Sequence, residues 1–200
     1  KVEPNTDKIL EMLDELELKA TFFVLGWVAK NHPKLIKKIQ SRGHEIGSHS
    51  YWHHNPHLIT ESDFEKDLKL SISAIQDITG KKVTAYRAPG FNLFIKDQWA
   101  FDILFENGIT VDSSIEVLPS QWKAPFYIEA GKTKILEFPL LFSQYKFPFT
   151  GGGYFRTIPL PILKSLFKEQ EYHLFYLHPR DFDKDTPTSN MFSFFRNQLN

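Results

Sequence analysis

The chain has 200 residues, 42% hydrophobic and 24% charged, with 24 Lys and Arg balanced by 24 Asp and Glu; this length and composition suit one folded domain and exclude a disordered segment. Zero formal net charge without a long basic run excludes a nucleic-acid-binding surface, and no apolar run approaches the roughly 20 residues of a membrane helix. The absence of cysteine excludes disulfides, thiolate zinc sites and a Cys nucleophile, and leaves the cellular compartment open.

The chain begins Lys1-Val2-Glu3-Pro4 without an initiator Met or the layout of a signal peptide, and it ends in Gln198-Leu199-Asn200 without a closing signal. It reads as an excerpt. Asn5 or Thr6 is expected to cap a first helix in which Ile9, Leu10, Leu13 and Leu16 recur at helical spacing, followed by a buried strand over 20–26. A second helix–strand unit follows, with a helix over 33–41 closed by Gly43 and a short strand over 44–48 leading into His49. The longest helix is expected over 60–79, opened by Thr60 and Asp63 in the manner of a capping box and stopped by Gly80. Strand 83–86 delivers Arg87, helix 96–107 stops at Gly108, and strand 109–111 ends at Asp112. From 113 to 153 the pattern loosens into aromatic and Pro-rich loop with short strands near 136–138, before a helix over 160–167 and a strand over 173–177 that ends at His178. Alternating strands and helices require a parallel sheet covered by helices. Four strands that each hand over to a polar residue favour a barrel with its site at the C-terminal rim.

His49 and His53, four residues apart after a strand, place two imidazoles about 6 Å apart on one side of a turn, where they can share a metal ion. Paired His also occur as surface residues, and the strand-end position is what favours the metal. A catalytic zinc site takes three protein ligands, so a further one is needed. His54 and His57 are nearby but read as solvent-facing or rim residues, and the missing ligand is expected upstream of Lys1. His178 sits where a strand delivers a side chain to the rim and can exchange a proton near neutral pH, although a His before Pro179 can equally be structural. Arg87 and Asp112 can be read as site residues or as an ordinary ion pair closing the barrel end.

Together these residues resemble the polysaccharide deacetylases with the NodB homology domain, most closely the branch associated with exopolysaccharide and exosortase loci. The segments 5–7, 19–26 and Gly43-His44-Glu45-Ile46-Gly47-Ser48-His49 look like the run after the family's first motif, and His49-Ser50-x-x-His53 matches its metal motif. Arg87-Ala88-Pro89 is similar to the family's Arg-x-Pro motif; Tyr86 to Phe91, Gly151-Gly152-Gly153-Tyr154-Phe155-Arg156 and Tyr176-Leu177-His178-Pro179 are similar to signatures of the branch.

The resemblance implies a distorted (β/α)7 TIM-like barrel, incomplete at the N-terminus. It implies a deacetylase domain over residues 1–186, with 187–200 starting a helical extension. By carry-over His49 and His53 are metal ligands, His178 the general acid, Arg87 the partner that orients the catalytic carboxylate, and Asp112 the residue that tunes His178. Pro89, Gly90, Phe91 and Tyr154 contact substrate, and Phe94, Tyr127 and Tyr145 are further aromatics able to stack on sugars. The metal is zinc first, with cobalt or nickel as alternatives, and the substrate is an N-acetylated oligo- or polysaccharide from which N-acetyl groups are hydrolysed. An amide nitrogen leaves only when protonated, which is the chemical reason for an acid such as His178. The family's first motif, which carries the aspartate base and an aspartate ligand, has no counterpart here. Gly90 replaces an aromatic residue found in many relatives, and Glu116 stands where the Asp-x-x-x-Trp motif has Trp. Those departures keep two other readings in view, a non-catalytic carbohydrate-binding relative and a hydrolase of small non-sugar amides.

Overall fold

A computed structural model describes residues 1–118, 124–141, 149–155, 158–168 and 172–185. They fall into two compact units, Lys1–Leu18 with the segment from Leu177 onward, and Lys19–Tyr176. The 187–200 extension lies outside the described residues.

In the first unit, helix α1 spans Val2–Glu15 and buries Ile9, Leu10 and Leu13. It starts earlier than its expected caps. Lys1 is the N-cap, Pro4 lies in the first turn, where its missing N–H removes no helical bond, and Thr6 turns its hydroxyl back onto the Val2 carbonyl at 2.8 Å. A 3-10 turn over Pro179–Phe182 packs on this helix, with Lys8 Nζ donating to the Phe182 carbonyl at 2.9 Å and Lys1 paired to Asp183 at 3.1 Å.

In the second unit, β1 (Thr21–Val24) is followed by α2 (Gly26–Asn31), α3 (Pro33–Ser41) and β2 (Glu45–Ser48), then α4 (Glu61–Thr79), β3 (Ala85–Tyr86), α5 (Gln98–Glu106) and β4 (Val111–Asp112). The boundaries of α3 and α4 match their sequence signals. Pro33 opens α3, Thr60 Oγ1 accepts the Asp63 N–H at the start of α4, and Gly80 closes α4 at φ 65°, in the left-handed region that costs glycine little. Beyond them lie β5 (Glu116–Val117), β6 (Phe126–Ala130), β7 (Thr133–Glu137), β8 (Leu140–Leu141), α6 (Gly152–Phe155) and α7 (Leu160–Lys168).

The main sheet has the order β1-β2-β3-β4-β7-β6, parallel throughout except for the antiparallel β6–β7 hairpin, and β5 pairs with β8 in a separate parallel ladder. The sheet is open among the described residues, with β1 and β6 at its edges, so the distorted, N-terminally incomplete barrel expected is matched only as a mixed α/β fold with a parallel sheet. The hairpin was not anticipated, because its alternating residues sit within a long loop-like stretch. The strand expected over 173–177 is reduced to one bridge between Gly151 and Tyr176.

The core of this unit is filled by Leu68, Ile75, Tyr86, Leu93, Phe101, Leu104, Ile109 and Ile135, each buried. Parallel pairing puts Val24, Ser48, Tyr86, Asp112 and Glu137 in one row across five strands. One step further along, His49 N donates to the Val24 carbonyl, Arg87 N to Ser48, Ser113 N to Tyr86 and Phe138 N to Asp112, at 2.8 to 3.1 Å. The fold therefore delivers His49, Arg87 and Ser113 to the same C-terminal edge.

Candidate active site

The loop after β2 carries the two histidines. Their ring centroids lie 5.1 Å apart with the planes at 78°. His49 Nδ1 lies 2.7 Å from the Arg87 carbonyl oxygen. A carbonyl only accepts, so this contact places the ring proton on Nδ1 and the lone pair on Nε2, the arrangement that orients an imidazole toward a metal. His53 and Ser50 both adopt left-handed backbone, at φ 66° and 65°, which costs a residue with a Cβ about 1–2 kcal/mol.

Hydrogen bonds around the loop hold this conformation. Ser50 Oγ accepts the His53 N–H at 2.8 Å, and the Gly26 N–H donates to the Ser50 carbonyl at 3.0 Å. Asp67, buried on α4, accepts the Tyr51 N–H at 2.6 Å and the Trp52 N–H at 3.1 Å. Gly26 is needed for space, since a Cβ there would sit 2.7 Å from the Ser71 Cα and against the Tyr51 ring.

Arg87 follows β3. Its Nε donates to the Ser113 carbonyl at 3.0 Å and its Nη2 to Ser113 Oγ at 2.7 Å. Its guanidinium lies 4.3 Å from the Phe23 ring centroid and 5.0 Å from that of Phe91. Both contacts suit a planar cation better than an ammonium. Burial pulls its pKa from 12.5 down to about 10, against the opposing pull of Asp112 and Glu137.

The Pro89–Phe91 segment is a 3-10 turn with Gly90 at φ 69° and Phe91 at φ 54°. The Phe91 N–H donates to the Ala88 carbonyl at 3.2 Å, and proline has no N–H, so Gly90 carries the turn's other backbone donor. His57, expected at the rim, stacks on Phe94 at 5.3 Å and pairs with the buried Asp97 carboxylate at 3.2 Å. His54 is exposed, as expected.

Asp112 is fully buried, accepting from Ser114 Oγ at 2.7 Å and Ser114 N at 3.2 Å, beside Glu137. Burial raises its pKa above the usual aspartate value. His178 belongs to the first unit. Its backbone N–H donates to Asp181 Oδ2 at 2.8 Å, and the same carboxylate oxygen lies 3.7 Å from its Nδ1. Tyr154 lies on α6, but its side chain, like Tyr145 and Arg156, lies outside the described residues. Tyr127 is exposed on β6 with Lys134 Nζ 4.4 Å over its ring.

The structure thus brings His49, His53, Arg87 and the Pro89–Phe91 turn together in one unit. Among the described residues no group of three or more His, Cys, Asp or Glu is placed to hold a metal ion. No helix among the described residues is long and apolar enough to cross a membrane.

Residues 2–97 match the model of the polysaccharide deacetylase family. The matched segment holds β1 to β3 with both histidines and Arg87, while residues 109–200 match a domain of unknown function (DUF3473). The chain is 27% identical over 188 residues to a peptidoglycan deacetylase of Helicobacter pylori, an alignment covering 91% of this chain and 58% of that protein. It is 35% identical over 91 residues to the peptidoglycan-N-acetylmuramic acid deacetylase PdaA of Bacillus subtilis, covering 44% of this chain and 34% of that protein. The chain therefore spans about a third to three fifths of the length of these relatives. A polysaccharide-deacetylase-type protein from Mycobacterium smegmatis superposes with a TM-score of 0.69 over 98% of this chain and 69% of its own, at 23% identity, a likeness of fold. That likeness fits the mixed α/β architecture with its parallel sheet.

Two carboxylates of the site were missed in the sequence. Asp67 lies on the buried face of α4, three residues after Phe64 and one before Leu68, and a carboxylate on an apolar stripe is the signal that marks it. Glu137 ends β7 inside the apolar run Ile135-Leu136-Glu137-Phe138-Pro139 and is fully buried. It carried the same signal.

Proposed function

We propose that the protein is a metal-dependent hydrolase that removes N-acetyl groups from N-acetylhexosamine residues of a cell-surface or exopolysaccharide. The observation that carries this reading is the His49–His53 pair with His49 Nδ1 held on the Arg87 carbonyl, within the segment that matches the polysaccharide deacetylase family. The named activities of the peptidoglycan deacetylase relatives support the reaction class.

His49 and His53 would hold the divalent ion, zinc first and cobalt or nickel as alternatives. When bound, it would polarise the acetamide carbonyl and acidify a water. A third ligand and a carboxylate base are needed beside the two histidines. Arg87, fixed between two rings and on Ser113, would orient that carboxylate. The Gly90 N–H is the donor suited to the developing oxyanion. His178, with Asp181 at its Nδ1 side, would protonate the departing amine nitrogen, and exposed Phe94 would receive a sugar face.

The test uses the full-length protein. Metal analysis and acetate release from N-acetylhexosamine oligomers are measured for the parent, His49→Ala, His53→Ala and His178→Ala. The expected result is stoichiometric metal and acetate release in the parent, loss of both in the first two variants, and retained metal with at least a hundredfold lower kcat in the third. Absence of acetate release from every N-acetylated glycan, with zinc, cobalt and nickel each supplied, would overturn the proposal in favour of a non-catalytic carbohydrate-binding relative; release from cyclic amides alone would point to the small-amide hydrolase.

A further inference from the structure

Asp112 and Glu137 are register partners on the adjacent parallel strands β4 and β7, and both are fully buried. Both accept from one backbone N–H, that of Ser114, so the two carboxyl groups lie side by side. They also share the turn that follows β4. The Ser114 N–H donates to Asp112 Oδ2 and to Glu137 Oε1, each at 3.2 Å, the Ile115 N–H donates to Glu137 Oε1 at 3.0 Å, and Ser114 Oγ donates to Asp112 Oδ1 at 2.7 Å. Glu137 Oε2 is the exception, buried without a donor. Among the described residues, the charged and titratable groups that face the pair are the Arg87 guanidinium and the phenols of Tyr86 beside Asp112 and Tyr172 beside Glu137.

One cation can balance one carboxylate. Two ionised carboxylates in contact and away from water would leave a buried charge without compensation. A hydrogen bond between two carboxyl groups also requires a proton between them, because ionised carboxylates only accept. We propose that Asp112 and Glu137 are a proton-sharing carboxyl pair, with the proton on Glu137 Oε2 donated to the Asp112 carboxylate, and that this pair positions Arg87.

Every oxygen of the two carboxyl groups is then accounted for. Protonated Oε2 becomes a donor instead of an acceptor without a partner, Oε1 stays a carbonyl-type acceptor of two N–H groups, and ionised Asp112 balances Arg87. Burial, reinforced by the charge of Asp112, pushes the Glu137 pKa well above the ordinary value, in the direction the geometry demands. The link to Arg87 is covalent and short. The pair pins Ser114 and Ile115, Ser113 precedes them, and Ser113 gives both its carbonyl and its hydroxyl to Arg87 while its own hydroxyl donates to the Phe138 carbonyl at 2.7 Å. The backbone of Arg87 in turn receives His49 Nδ1. Losing the proton would set two anions against each other under this turn and release Arg87 from its seat. Glu137 is in this sense a positioning residue. Its relevance to turnover rests on the proposed deacetylase reading, but the readouts below need no substrate and would stand or fall without it.

The test compares the whole protein with its Glu137→Gln and Glu137→Leu variants. Infrared difference spectra in H2O and D2O at neutral pH are expected to show the carbonyl stretch of a buried un-ionised carboxylic acid in the parent and its loss in Glu137→Gln. Glutamine supplies an amide N–H in place of the acid O–H, so that variant is expected to melt close to the parent at neutral pH, whereas Glu137→Leu melts far lower. The sign of the pH effect follows from the raised pKa. The folded state keeps a proton that the unfolded state gives up near its ordinary carboxyl pKa, so the folded fraction is favoured at low pH. As pH rises from there toward the folded pKa, the unfolding equilibrium constant is expected to gain up to tenfold per pH unit from this proton. Glu137→Gln is expected to lose that one-proton slope. Persistence of the infrared band in Glu137→Gln, an unchanged pH slope, or failure of the glutamine variant to fold would each overturn the proposal.

Discussion

Replacing Asp67 by Ala removes the acceptor of two backbone N–H groups in the loop that carries the histidines. Tyr51 N at 2.6 Å from Oδ2 is buried, and Trp52 N at 3.1 Å from Oδ1 is partly so. A hydrogen bond to a charged group contributes about 1.5–3 kcal/mol. The Tyr51 bond is lost in full because no water replaces it, while Trp52 can recover part of its bond from solvent; the sum is about 3–4 kcal/mol. The same bonds oppose the left-handed strain of Ser50 and His53, about 1–2 kcal/mol each. The freed energy therefore drives the loop toward conformations in which His49 and His53 no longer converge. Urea unfolding of the full-length protein should register the loss of about 3–4 kcal/mol, and calorimetric zinc titration of the folded variant should show at least tenfold weaker binding. Asp67→Asn keeps one acceptor and should lose about half as much stability. A loss below about 1 kcal/mol with unchanged zinc affinity in Asp67→Ala would refute the idea that this carboxylate holds the loop.

Gly26→Ala should destabilise by more than about 2 kcal/mol in a thermal or urea melt and disturb Tyr51, because the added methyl meets the α4 backbone at Ser71. Arg87→Lys keeps the charge but loses the forked contact with Ser113 and the flat contacts with Phe23 and Phe91; acetate release should fall at least tenfold with little change in metal content. Thr60→Ala removes the α4 cap at Asp63 N and should cost about 1 kcal/mol in a urea melt. Phe101→Ala, at a fully buried core position of α5, should cost about 3–5 kcal/mol by the same measurement.

The elements with punctuation were legible in the sequence. Pro33 and the Thr60/Gly80 pair set the boundaries of α3 and α4 because proline geometry, side-chain capping and left-handed glycine act within a few residues. α2 was not legible. Its six residues follow β1 directly, with no side-chain cap at Leu25, and its position is fixed by packing on α4. The β6–β7 hairpin was hidden in the same way, because an antiparallel pair added to a parallel sheet is settled by which strand edge is available, a long-range matter.

The same division holds for the site. His49, Arg87 and Asp112 could be picked out because each ends or follows a short strand, and local pattern places strand ends. That they reach one edge depends on parallel register across β2, β3 and β4, which joins residues 38 and 26 positions apart. Asp67 and Glu137 acquire their roles only there. In sequence each is a single carboxylate among apolar neighbours, and only tertiary structure, by removing water and setting Tyr51, Trp52 and Asp112 against them, turns that anomaly into a held loop and a shared proton.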